Sequence, residues 1–486
     1  MLFNSISFLV YFPFVVFFYF VLPQRWKKLW LLIMSYYFYM SWNVKYGFLI
    51  LLSTIITYLC GRFIDHAKSN TWRMIGLICC LASNLGILFF FKYFTWLFEM
   101  FVSIMGSETS LPFSIVLPVG ISFYTFQALG YTIDIYRKEI KAEKNFITYA
   151  LFVSFFPQLV AGPIERSKNL LIQLQTPTEF DASNATQGLR FMLWGYVEKL
   201  VIADNVAIIV DNVYANWQKT GGAVLALATI LHAIQVYCDF GGYSHIAIGA
   251  ARVLNIKLMR NFEQPFFADS IKSLWRRWHI SLSGWFRDYV YIPLGGNRKG
   301  KTRKYINIMI TFLLSGLWHG AGMHYVVWGG LNGLYQVIGE ILTPVRDKIV
   351  KILHINRKSH VHKCAKVVVT FLLFSFSIIF FRSNSIVDGV AICKKIVLEP
   401  NFREISHGLQ GLMGINLAQA IIIGMGLVML CVVDGIHEMG YHITTWLDTK
   451  QRYFRWGIYY SLILVVLISV VQTFGQNASA FLYFQF

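Results

Sequence analysis

Charge is scarce in this chain. Of its 486 residues only 14% are Asp, Glu, Lys or Arg, against about a quarter in soluble globular proteins. No hydrophilic block is long enough to form a soluble domain of ordinary size. CxxC pairs and Cys/His spacings of a zinc site are missing, and most of the seven cysteines, such as Cys79, Cys80 and Cys431, lie in apolar surroundings. Those absences exclude a disulfide framework and give no reason to expect a metal; thiols of this kind behave as small hydrophobes. Nucleophile elbows, Walker loops, paired carboxylates, internal repeats and low-complexity tracts are missing too.

Apolar side chains fill the space. Hydrophobic residues make up 56% of the chain and aromatics 17%. A membrane crossing needs about 20 mostly apolar residues. Such runs fall near 6–22, 29–43, 46–64, 74–103, 113–136, 146–162, 186–208, 222–254, 305–319, 322–342, 365–382, 414–434 and 455–474. Some are short or interrupted by glycine, so about eleven full spans are expected. The run at 74–103 exceeds one crossing and reads as a long tilted helix or as two segments. The expected fold is an all-α polytopic membrane protein, one integral-membrane domain over 1–486.

The net charge is +19, from 43 Lys+Arg against 24 Asp+Glu. The basic residues sit in short clusters between apolar runs, where membrane topology puts them, so lipid and not nucleic acid is the implied partner. Arg25, Lys27 and Lys28, then Arg62, Lys68 and Arg73, then Arg137, Lys138, Lys141 and Lys144 follow alternate runs, while the intervening loop "MGSETSLP" has no basic residue. This alternation predicts an extracytoplasmic N-terminus. The opening "MLFNSISFLVYFPFVVFFYFVLPQRWKK" has neither a basic leader nor a small-residue cleavage site and reads as a retained first span.

Several stretches break the apolar pattern. In "TFLLSGLWHGAGMHYVVWGG", His319 is surrounded by Gly316, Gly320, Gly322, Gly329, Gly330 and, further on, Gly333. Glycine-weakened helix at membrane depth implies a broken helix beside a cavity, with His319 at its lip. An intramembrane ionisable residue suggests function, and histidine takes and gives protons near neutrality. A core histidine bonded to a neighbouring helix explains it equally well. His324, five residues on, lies off the same helical face.

The segment 255–304 is too polar to span and too aromatic for a plain loop. Ser270 is placed to cap a short helix running through Trp278, and Pro293-Leu-Gly-Gly-Asn marks a turn. A re-entrant or amphipathic element is predicted, its Trp and Arg side chains at the headgroup level. His279 lies there, in "SLWRRWHISLS", as a second site residue or an interfacial imidazole. "CDFGGYSHIAIGAARVLN" reads as a closely packed helix in which Asp239 and His245 make structural hydrogen bonds. "FFPQLVAGPIERSKNL" reads as a kinked segment emerging into a polar loop.

Taken together, "FFPQLVAGPIER", the long stretch from "DFGGYSHIAIGAARVLN" to "DYVYIPLGGNR", and "LSGLWHGAGMHYVVWGGLNGLY" resemble the membrane-bound O-acyltransferase family. The nearest branch acetylates alginate, peptidoglycan and cellulose, and the terminal "FLYFQF" is similar to that branch's ending. The resemblance covers most of the chain and is densest from 113 to 342. It implies a ring of tilted helices and re-entrant segments around a thin centre crossed by a tunnel. It also implies acyl transfer from a thioester donor to a hydroxyl. The family's histidine in a Trp-His-Gly setting maps onto His319, the expected general base, and its second site residue maps onto His279.

The branch further implies a cell-membrane enzyme without a tightly bound cofactor. Its donor would be cytoplasmic acetyl-CoA or another acyl thioester. An extracytoplasmic partner of SGNH-hydrolase type would complete transfer to a polysaccharide. Arg276, Arg277, Arg287 and Arg298 are weak candidates for the donor's phosphates, with positive-inside topology as the plain alternative. Ser315, one turn before His319, is a weak candidate nucleophile. A transporter or flippase for an acylated or glycan carrier is the competing class; it would call for inverted repeats.

Overall fold

The computed structural model describes residues 1–106, 109, 111–160, 162–403 and 414–473. The terminal "FLYFQF" and part of "MGSETSLP" lie outside them. Secondary structure among the described residues is helical. Among the described residues six helices are each long and apolar enough to cross a membrane: Val44–His66, Asn70–Lys92, Gly222–Val253, His360–Arg382, Leu417–Glu438 and Arg452–Thr473. Other apolar runs fold as shorter or interrupted helices, so runs and spans do not correspond one to one. The run at 74–103 is two segments, α4 (Asn70–Lys92) and α5 (Phe94–Ile104).

The chain divides into two compact units, residues 1–192 with 243–260, and 193–242 with 261–486. In the first, α1 (Ile6–Val21), α2 (Gln24–Met40) and α3 (Val44–His66) precede α4 and α5, and Ser5, Asn43 and Ser69 cap α1, α3 and α4 through their side chains. The run at 113–136 becomes a helix only at α6 (Ile121–Tyr136). Gly120 precedes it with φ 76°, and a Cβ there would stand 2.6 Å from the Leu159 carbonyl oxygen. Both facts require glycine.

The kink expected around Pro157 is present. α7 (Phe146–Ser154) stops at Phe155, and α8 (Phe156–Leu159) restarts with proline in its first turn. The break frees the Phe152 carbonyl, which accepts hydrogen bonds from Gln127 Nε2 at 2.6 Å and Gln158 Nε2 at 2.8 Å. Backbone groups buried without water need such partners. Beyond the kink, the buried Glu165 carboxylate accepts hydrogen bonds from the Met259 amide and, at 2.7 Å, from Asn169 Nδ2 on α9 (Ser167–Gln175). Burial nevertheless pushes its pKa up to about 7. In α10 (Ala182–Tyr196), Gly188 packs against Gly249 of α12 (Gly222–Val253) so closely that a Cβ at either would meet the other's carbonyl oxygen.

In the second unit a π-helical turn, Val197–Ala203, leads into α11 (Asp204–Ala215). The first part of α12 also belongs here. Two short helices follow, α13 (Ile271–Arg277) and α14 (Ile280–Phe286). Ser270 caps α13 as expected, its Oγ accepting from Ser273 N at 3.2 Å. The turn after Pro293 uses left-handed Gly295 and Gly296. The aromatics of this segment depart from expectation. Trp275, Trp278 and Trp285 are all buried within the protein, because α13 and α14 supply core and not a headgroup belt.

The remaining helices are α15 (Gly300–His319), α16 (Met323–Ile341), α17 (Thr343–Ile352), α18 (His360–Arg382), α19 (Ile386–Leu398), α20 (Leu417–Glu438), α21 (Ile443–Asp448) and α22 (Arg452–Thr473). α15 and α16 form a hairpin with backbone-to-backbone contact. A Cβ at Gly316 would lie 2.3 Å from Tyr325 O, and one at Gly329 would lie 2.2 Å from Phe312 O. These glycines were expected to line a cavity. They serve close helix packing instead.

Candidate active site

The break expected beside His319 is present, directly after it. α15 runs unbroken to His319, its last residue, and the chain then crosses Gly320-Ala321-Gly322 before α16 begins. His319 is 4% exposed. Its ring sits among Trp318 (centroids 5.0 Å apart), Trp328 (4.9 Å) and Phe381 (5.4 Å). Trp328 stands next to Trp275, whose indole N–H donates to Asn332 Oδ1 at 3.1 Å, and Asn332 donates in turn to Ser377 Oγ at 3.2 Å. The wall of the site is therefore held by a polar clasp joining α13, α16 and α18.

His279 arrives from a separate element. It is the second of the two residues between α13 and α14, and it is fully buried. This overturns an interfacial imidazole: no face of the ring reaches the surface. Its backbone has φ 45° and ψ 53°, the left-handed region. A non-glycine residue there costs energy and marks functional positions. Asn261 bolts the next residues in place. Its carbonyl accepts from Ile280 N at 2.9 Å, and its Oδ1 accepts from Ser281 Oγ at 2.6 Å. Phe240 of α12 meets the His279 ring at 4.6 Å and 78°.

The two imidazoles converge. Their centroids are 6.5 Å apart with planes at 66°. At that separation their nitrogens stay beyond direct hydrogen-bond reach of one another. Two proton-carrying rings can thus address one small reacting group from two sides.

The other candidates fall elsewhere. Arg277 is committed to Glu438 Oε2 at 2.6 Å and to the Gln264 carbonyl. Arg287 pairs with Asp288 at 2.8 Å. Arg276 and Arg298 are exposed. Ser315 is buried on α15. His324 lies against Tyr325, centroids 4.1 Å apart. His245 rests near Phe191. Asp239 is ion-paired with Lys199 at 2.5 Å. Sequence reasoning missed Phe240, Asn261, Trp328 and Phe381, whose apolar or amide side chains carry no chemical signal until the fold places them.

The profile of the membrane-bound O-acyltransferase family matches residues 136–382, which include both histidines. The chain belongs to that family. A probable alginate O-acetylase of Pseudomonas syringae is 38% identical over 79% of this chain and 73% of its own length. One from Pseudomonas fluorescens is 30% identical over the whole of both chains. The peptidoglycan O-acetyltransferase of Helicobacter pylori is 30% identical over 94% of this chain and 91% of its own. Membership makes the protein a multi-pass membrane acyltransferase that draws on an acyl donor, and it displaces the transporter reading.

Proposed function

We propose that the protein moves an acetyl group from a cytoplasmic thioester, acetyl-CoA in the simplest case, toward an extracytoplasmic polysaccharide. His319 serves as general base and His279 as the second site residue. The observation that carries this reading is the convergence of two buried histidines, from α15 and from the α13–α14 junction, at 6.5 Å between ring centroids. Relatives named for alginate and peptidoglycan acetylation support the polymer class.

The chemistry balances without a resident cofactor. His319 accepts the proton of the acceptor hydroxyl as its oxygen attacks the thioester carbonyl. A tetrahedral intermediate forms, and a ring N–H of His279 stabilises its oxyanion or orients the donor. The carbon–sulfur bond then breaks, and the thiolate takes the proton from His319. A positioned base contributes about 10²–10⁴-fold. The exposed Arg276 and Arg298 remain available to donor phosphates, whereas Arg277 and Arg287 are already paired.

In this reading one domain spans 1–486, a ring of helices encloses a tunnel, the N-terminus is extracytoplasmic and the membrane is the cell membrane. An SGNH-hydrolase-type partner passes the acetyl group to polymer. The test is ester content of envelope polysaccharides in cells carrying His319→Ala, alongside turnover of acetyl-CoA by the purified protein. Loss of both is expected. Retained polymer acetylation in the variant overturns the assignment.

A further inference from the structure

A buried ion cluster that the proposed mechanism does not use joins the start of α11 to α12. Lys199 Nζ is 2.8 Å from Asp204 Oδ1 and 2.5 Å from Asp239 Oδ1. All three residues are buried, Lys199 to 1% exposure. Ionisable groups in membrane segments are costly and mark function by default. Burying an ion pair is also a poor route to stability alone.

The local backbone is built for this cluster. Lys199 and Asp204 are five residues apart, a spacing that an α-helix splays to different faces. The π-helical turn closes from residue i to i+5, with the Asp204 amide donating to the Lys199 carbonyl, and so stacks the two side chains. Asp239 comes from α12. Its approach depends on Gly242, where a Cβ would stand 2.7 Å from Gly195 O and 2.9 Å from Lys199 N.

The same turn of α12 faces the site. Phe240, next to Asp239, meets the His279 ring at 4.6 Å. Tyr237 packs toward Trp278 at 6.2 Å and donates its hydroxyl proton to Asp434 Oδ2 on α20 at 3.0 Å. One helical turn is therefore anchored on one side by Lys199, on another by Asp434, and presses its aromatic edge against Trp278-His279. We propose that Lys199 is a positioning residue for His279, acting through Asp239 and Phe240. The inference rests on His279 being a site residue.

The test uses the purified full-length protein in lipid nanodiscs, with acyl transfer from acetyl-CoA as the assay. Asp239→Asn loosens the ion cluster, and Phe240→Leu removes the contacting ring without touching it. Each is measured alone and combined with His279→Asn; monodisperse elution confirms folding. Misplacing a reacting group by about 1 Å costs on the order of 10²-fold. Each single variant is expected to lower kcat about 10–100-fold with donor KM unchanged. Neither should lower it more than about twofold further in the His279→Asn background. Asp239→Glu, which keeps the charge, should recover most of the loss.

Losses that multiply in the His279→Asn background overturn the positioning role and leave the site reading standing. Wild-type kcat in Asp239→Asn and Phe240→Leu also overturns it. Unchanged kcat in His279→Asn alone overturns the site reading and the inference together. If Asp239→Asn does not fold, Asp204→Asn, which loosens the same cluster from its other carboxylate, takes its place.

Discussion

The imidazole of His319 meets the indole of Trp328 edge to face, with centroids 4.9 Å apart and planes at 88°. The two residues belong to adjacent helices of the α15–α16 hairpin. Such aromatic pairs are worth about 0.5–1.5 kcal/mol beyond their burial. Trp328→Leu should therefore lower kcat about 2–10-fold, while Trp328→Phe keeps a ring edge and stays within about twofold. Steady-state acyl transfer by the purified variants checks this. Equal rates for Leu and Phe at 328 would show that the contact does not orient the base.

The left-handed backbone of His279 gives a stability test independent of catalysis. Both His279→Ala and His279→Gly delete the ring and its contacts. Only glycine is free of strain at φ 45°. The glycine variant should be the more stable of the two by about 1 kcal/mol, read as a higher thermal midpoint in detergent, although both lose activity. In a soluble helix the order would be reversed.

Gly316→Ala places a methyl where Tyr325 O lies 2.3 Å away. Backbone oxygen on a helix cannot step aside, so α15 and α16 must separate. The expected result is a loss of about 1–3 kcal/mol or more and a drop in folded yield. Gly339→Ala, in the same hairpin with nothing within 4 Å of its Cβ, should be neutral or slightly stabilising. Comparable yields for the two variants would contradict the close crossing.

Glu165 predicts a pH dependence of stability. Its pKa rises from 4.5 to about 7 on folding. The folded protein therefore binds more protons than the unfolded chain between those values, and stability falls as pH rises through them. The stabilisation is complete below about 4.5 and lost above 7. Its full size is about 3 kcal/mol at 1.36 kcal/mol per unit. Glu165→Gln cannot ionise. Its thermal midpoint should match wild type near pH 5 and exceed it at pH 8. Parallel pH profiles for the two proteins would sink the account.

The membrane class, the kink near Pro157, the cap at Ser270 and the ionisable ring of His319 were legible because each rests on local chemistry; His279 came beside it only through the family resemblance. Apolar length, proline, a capping hydroxyl and an ionisable ring announce themselves at one position. The purpose of the glycines did not. Gly316 and Gly329 look the same in sequence whether they border a cavity or admit a neighbouring backbone, and only the hairpin shows the second. The burial of His279 was hidden because Trp275, Trp278 and Arg277 read equally well as a headgroup belt. Asp239 was read as a structural hydrogen-bonding residue, but its partner Lys199 lies forty positions away behind a π-helical turn that no periodicity reveals.

Two helices that touch through their own carbonyl oxygens cannot slide past one another. His319 and Trp328 therefore travel as a single piece, with Gly316 and Gly329 as its weld. His279 comes from a separate element, fastened at Asn261. The Trp275–Asn332 hydrogen bond fastens α13 to that same piece, so the two histidines hold their register through one buried indole N–H.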